Sequence, residues 1–120
     1  MQNIIDDYYL TNNNVLKGSF EALLSESKIW EWEWGLILAY GNSVHIHILT
    51  NYRKKVFLRK YLKIVAKELF NVYPLIITTV LKSKPTPISF NTKMGWTIVK
   101  ETPNEWFLEM TAKDFKYGTN

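Results

Sequence analysis

The chain of 120 residues contains no cysteine. That excludes a disulfide scaffold, a thiolate zinc centre and a cysteine nucleophile together. It fits a reducing compartment, and a cytoplasmic location is the expectation. Long apolar runs are also missing: Gly35-Leu36-Ile37-Leu38-Ala39-Tyr40 is among the longest, far short of the ~20 residues of a membrane span. The opening Met1-Gln2-Asn3-Ile4-Ile5-Asp6-Asp7 lacks the basic and apolar regions of a secretory signal. No internal repeat, low-complexity tract or Gly/Ser linker interrupts the chain, so one domain over residues 1–120 is expected. Only two histidines are present, His45 and His47. They could form a metal pair, but no third ligand is evident and no metal site is expected.

What is present is a core. Hydrophobic residues make up 47% and aromatics 15%, enough for a packed globule and too much for a disordered tail. Charge is unevenly placed. The first fifty residues hold two lysines against six acids, and the rest hold thirteen basic residues against five acids. An acidic first part and a basic second part imply an anionic ligand near the latter, or simply a solvated helix face.

Residues 1–14, ending in Asn12-Asn13-Asn14, read as loosely ordered. Val15, Leu16, Phe20, Leu23 and Leu24 recur at helical spacing, which predicts a helix over 15–24. Trp30, Trp32 and Trp34 alternate with Glu31 and Glu33, the period-2 pattern of a strand. That tryptophan stripe could stack on a ligand, though packing at a sheet edge is the simpler reading. Gly41-Asn42 predicts a two-residue hairpin turn that sets Leu38 opposite His45, Ile37 opposite Ile46 and Leu36 opposite His47. Both faces of that hairpin are largely apolar, so both should be covered.

A strong helix is expected over 56–70, with Leu58, Tyr61, Leu62, Val65 and Leu69 as its buried stripe and Lys60, Lys63 and Lys67 opposite. The β-rich run 75–80 follows Pro74. Pro85 and Pro87 suit the first turn of a short helix over 87–94, and strands are expected at 96–100 and 105–110. Gly95 can take the left-handed conformation that ends the short helix.

The order basic loop, amphipathic basic helix, β-run and Phe90-Asn91-Thr92-Lys93-Met94-Gly95-Trp96 resembles the GNAT superfamily, the acetyl-CoA-dependent N-acetyltransferases. The resemblance covers about residues 34–111. Residues 44–55, Val44-His45-Ile46-His47-Ile48-Leu49-Thr50-Asn51-Tyr52-Arg53-Lys54-Lys55, look most like a divergent branch found in tailed phages. What it implies is an α/β (α+β) fold with a mixed central sheet and helices on both faces, shortened at its N-terminal side. It also implies acetyl-CoA as cofactor. Residues 43–50 would match the fourth strand, 52–58 the pyrophosphate loop, and 75–80 the fifth strand. Cofactor contacts would then fall on Ile48, Leu49, Arg53, Lys54, Lys55, Val56, Phe57, Leu58 and Lys84. Catalytic roles would fall on His45, His47 and Asn91, with direct transfer of acetyl to a primary amine.

Lys84 stands where the family often has an asparagine, and Val56, Leu58 and Asn91 depart from the family pattern more sharply. Val56 and Leu58 stand where small residues let phosphate approach the backbone, and Asn91 stands where a tyrosine often serves as general acid. They support a second expectation: a catalytically degenerate phage protein acting as a virion or head-assembly component, or as a host-inhibiting module. The run from Arg53 to Lys67 has seven basic residues and no acid, so a nucleic-acid backbone is a lesser alternative.

Overall fold

A computed structural model describes residues 1–83 and 88–115. The chain divides into two compact units, Met1–Phe57 and Leu58–Asn120. Six strands and four α-helices are found among the described residues, a mixed α/β fold as expected.

The first unit starts with helix α1 (Gln2–Thr11), where a loose segment was expected. The reason lies in its spacing. Ile4 and Tyr8, and likewise Ile5 and Tyr9, stand four residues apart and share a face. Ile4 is buried and joins one core with Phe20, Leu24, Leu36 and Leu38, against which Ile5, Tyr8 and Tyr9 pack. Each fully buried aliphatic side chain contributes roughly 1.5–3 kcal/mol, enough to fix a helix of modest intrinsic propensity. Helix α2 (Ser19–Ser25) begins later than predicted because Gly18, at φ +85°, breaks the run; Val15 and Leu16 stay outside it.

Strands β1 (Lys28–Trp32), β2 (Gly35–Tyr40) and β3 (Ser43–Ile48) form an antiparallel meander. Gly41-Asn42 makes the predicted turn, and the register is the predicted one: Leu38 opposite His45, Ile37 opposite Ile46, Leu36 opposite His47. Leu36 and Leu38 face α1 and α2. On the other face Ile37, Ala39 and Val44 are buried too, whereas Ile46 is 40% exposed. Trp34 lies beyond β1 in the turn, buried and stacked on Trp32 with ring centroids 5.3 Å apart. That stack accords with packing for part of the tryptophan stripe.

In the second unit, helix α3 (Leu58–Phe70) starts two residues later than predicted. It buries Leu62, Val65, Ala66 and Leu69; Leu58 and Tyr61 are half-buried. It lies against strand β4 (Leu75–Leu81). Helix α4 (Ile88–Lys93) runs into Gly95 at φ +112°, and strands β5 (Thr97–Glu101) and β6 (Glu105–Thr111) follow. β6 pairs antiparallel with both β4 and β5. The Asn91 carbonyl accepts the amides of Met94 and Trp96, whose side chains are buried. Among the described residues no helix is long and apolar enough to cross a membrane.

Candidate active site

Strand β3 and the segment after it carry most of the predicted site residues in the first unit. Successive side chains on a strand point to opposite faces, so His45 and His47 share the face directed at α1 and α2. They differ in what surrounds them.

His47 is buried. Its Nε2 lies 2.8 Å from Asp7 Oδ2, and its ring sits 5.5 Å from that of Tyr8 and 6.4 Å from that of Phe20. Asp7 has a second group of donors. Thr50 donates its hydroxyl to Asp7 Oδ1 at 2.7 Å and its amide to the same oxygen at 3.3 Å. Burial acts to raise the Asp7 pKa and is the largest single influence. The hydrogen bonds from the Thr50 hydroxyl, His47 and the Thr50 amide, with the charge of His47, outweigh it and hold the carboxyl below its usual value. An ionised carboxylate only accepts hydrogen bonds, so the Nε2 of His47 carries a proton.

His45 is half-buried, and its Nε2 is 3.1 Å from Ser43 Oγ. Burial lowers its pKa below the usual imidazole value, so it is neutral at pH 7 and able to accept a proton.

The segment after β3 is tied to the unit at several points. The Leu49 amide donates to the Trp34 carbonyl at 2.8 Å. A 3₁₀ turn, Thr50–Tyr52, follows, with the Tyr52 amide on the Leu49 carbonyl at 2.8 Å. The Tyr52 hydroxyl donates to Glu33 Oε1 at 2.7 Å, and this bond is the main reason its pKa is raised. The Lys55 amide then closes on the Tyr52 carbonyl at 3.0 Å around Lys54, which adopts φ +67°. Arg53, Lys54 and Lys55 are all exposed, Val56 is half-buried, and Phe57 is 67% exposed.

Close approach of backbones shapes the start of this segment. Gly35 pairs with Ile48 at φ +145°, and a Cβ there would lie 2.1 Å from the His47 carbonyl oxygen. Only glycine fits.

In the second unit, the first turn of α3 contains no acid and does contain Arg59 and Lys60. A helix start without an acid leaves the positive end of its dipole available to an external anion. Asn91 is half-buried on α4. Lys84, Pro85 and Pro87 lie outside the described residues. Among the described residues no three His, Asp or Glu side chains gather as metal ligands.

The structure thus brings His47 together with Asp7 and Thr50, and Tyr52 with Glu33. Sequence reasoning missed Asp7, Thr50 and Glu33 in these roles. Asp7 stood in a segment read as loose, although the Ile4/Tyr8 spacing was a signal that it belongs to a helix.

No protein-family model and no curated protein matches the chain. Solved structures do. A GNAT family acetyltransferase from Elizabethkingia anophelis, with acetyl-CoA bound, is similar at a TM-score of 0.69 and 14% identity over 89% of each chain. The PaiA N-acetyltransferase from Thermoplasma acidophilum, in complex with coenzyme A, is similar at a TM-score of 0.58 and 12% identity, over 92% of this chain and 89% of that one. The chain has the fold of GNAT acetyltransferases.

Proposed function

We propose that the chain binds acetyl-CoA and transfers its acetyl group to a primary amine by direct attack, with both units serving one domain. The observation that carries this is the whole-length likeness in fold to two acetyltransferases that hold acetyl-CoA or coenzyme A. The residues present suit the diphosphate of such a molecule: Arg53, Lys54 and Lys55 of the first unit are exposed, and in the second unit, taken by itself, the first turn of α3 carries Arg59 and Lys60 and no acid. Ile48, Leu49, Val56, Phe57, Leu58 and Lys84 complete the proposed cofactor set. The β-carbons of Val56 and Leu58 hold the phosphates away from the local backbone, so the basic side chains bear more of the binding.

When bound, acetyl-CoA supplies an acetyl group activated as a thioester. The chain's own tasks concern protons and orientation. An amine attacks only as its free base, so a group must take a proton from the ammonium. His45, neutral and half-buried with its Nε2 beside the Ser43 hydroxyl, suits that task better than His47, which is buried with its Nε2 held by the Asp7 carboxylate. Asn91 has no proton to give at neutral pH, and its side chain serves at most as a hydrogen-bond donor. With Asn91 unable to protonate a thiolate, that proton would have to come from water.

Isothermal titration of the full chain with acetyl-CoA tests the proposal. Binding in the micromolar range is expected, with at least a ten-fold loss in the double variant R53E/K54E and a marked weakening as salt rises. No heat at millimolar acetyl-CoA would reject it.

The second reading is a catalytically degenerate module of the same fold, a phage head-assembly or host-inhibiting protein in the virion or the host cytoplasm. Asn91, Val56 and Leu58 favour it, as does the exposed Phe57, an aromatic side chain available to a protein surface. Turnover of acetyl-CoA by the isolated chain with an amine would exclude this reading.

A further inference from the structure

Two carboxylates of the first unit reach the same short turn from different elements. Asp7 of α1 takes the hydroxyl and amide of Thr50, forty-three residues away in sequence. Glu33, between β1 and β2, takes the hydroxyl of Tyr52. Thr50 and Tyr52 are the two ends of the 3₁₀ turn, and the basic run begins at the next residue, Arg53. Both are hydroxyl-to-carboxylate bonds of 2.7 Å, the short, charge-assisted kind that exceeds a neutral bond in strength. Past Tyr52 the backbone folds back on the turn itself: the Arg53 amide donates to the Thr50 carbonyl at 3.4 Å and the Lys55 amide to the Tyr52 carbonyl at 3.0 Å. The positions of Arg53, Lys54 and Lys55 are thus set by where the turn is held.

We propose that Asp7 and Glu33 are positioning residues, a two-point clamp on Thr50 and Tyr52 that presents the basic run 53–55 to the diphosphate of a coenzyme A ligand. The inference rests on the cofactor reading given under Proposed function. Neither carboxylate touches the ligand in this arrangement; both act through the turn. An acid placed directly on the diphosphate would repel it, whereas an acid that spends its charge on a hydroxyl orients the loop with little repulsion. The two ties also oppose the mutual repulsion of three adjacent cations.

The test uses the full-length variants Thr50→Val, Tyr52→Phe and Thr50→Ser, titrated with coenzyme A and followed by amide hydrogen exchange. Thr50→Val and Tyr52→Phe each remove one hydroxyl and no charge. Each should weaken coenzyme A about three- to ten-fold, and Thr50→Ser should bind like the parent. The Tyr52 and Lys55 amides should exchange faster in the first two variants while amides within β2 and β3 do not change. A merely structural role would accelerate exchange throughout the unit. Unaltered affinity in both variants, with the parent binding normally, would overturn the clamp. Were the parent itself to ignore coenzyme A, the cofactor reading would fall, and the exchange rates would still decide the tie: unchanged rates at Tyr52 and Lys55 would overturn it, faster ones would uphold it.

Discussion

Gly35→Ala is expected to destabilise the first unit by more than about 3 kcal/mol, lowering its melting midpoint by well over 10 °C. Two costs combine. The backbone at Gly35 has φ +145°, a region that residues with a β-carbon rarely enter. The added Cβ would also stand 2.1 Å from the His47 carbonyl oxygen and 3.1 Å from the Ile48 Cα. Those are backbone atoms, so a rotamer change cannot relieve the overlap; β2 and β3 must part. Parting them strains the Leu49 amide bond to the Trp34 carbonyl and shifts the turn that precedes Arg53. Near-ultraviolet circular dichroism, sensitive to the Trp32–Trp34 stack, should report the loss, and coenzyme A affinity should fall with it. Gly95→Ala makes the corresponding comparison in the second unit, where the Cβ would meet the Asp114 carbonyl oxygen at 2.2 Å with φ +112°. A parent-like melt for Gly35→Ala would mean that the strand pair yields there at little cost.

The contrast between what was legible and what was not follows the range of the interactions. The hairpin register could be read because a two-residue turn and a period of two leave one alignment of residues 36–47. Helix α3 announced itself through a stripe at 3.6-residue spacing, and Gly95 through its place between a helix and a β-former run. The basic run was plain from composition alone. Helix α1 was not: its polar and asparagine-rich surroundings hid two i, i+4 pairs, and the packing that stabilises it comes from Phe20, Leu36 and Leu38, far along the chain. Glu33 shows in the sequence only as part of a period-2 strand pattern, because its partner, Tyr52, lies nineteen residues on. For His47 the family resemblance implies a catalytic role. Its burial beside Asp7 shows the hydrogen bond, but which carboxylate would supply it was beyond any local pattern.

Asp7→Asn should lower stability by about 2–3 kcal/mol at pH 7 and flatten the acid limb of the stability profile. The carboxylate accepts from His47, the Thr50 hydroxyl and the Thr50 amide, three donors converging from β3 and the turn after it. An amide in its place has one acceptor oxygen and no charge, so either the Nε2–H of the buried His47 or the Thr50 donors lose their acceptor. The sign of the pH dependence follows from the lowered pKa of Asp7. A carboxyl depressed in the folded state contributes its full stabilisation above the unfolded value, near pH 4, and loses it as pH falls through the lower folded value. The parent chain should therefore lose stability below about pH 4 more steeply than Asp7→Asn, so the two profiles converge in acid. Urea titrations at a series of pH values, read at the Trp32–Trp34 signal, give both curves. Parallel profiles, with the same gap at pH 3 as at pH 7, would mean that the ionised carboxylate of Asp7 is not what holds α1 to the end of β3. The loop carrying Arg53, Lys54 and Lys55 would then owe its shape to the Glu33–Tyr52 bond and the backbone contacts of Leu49 and Lys55.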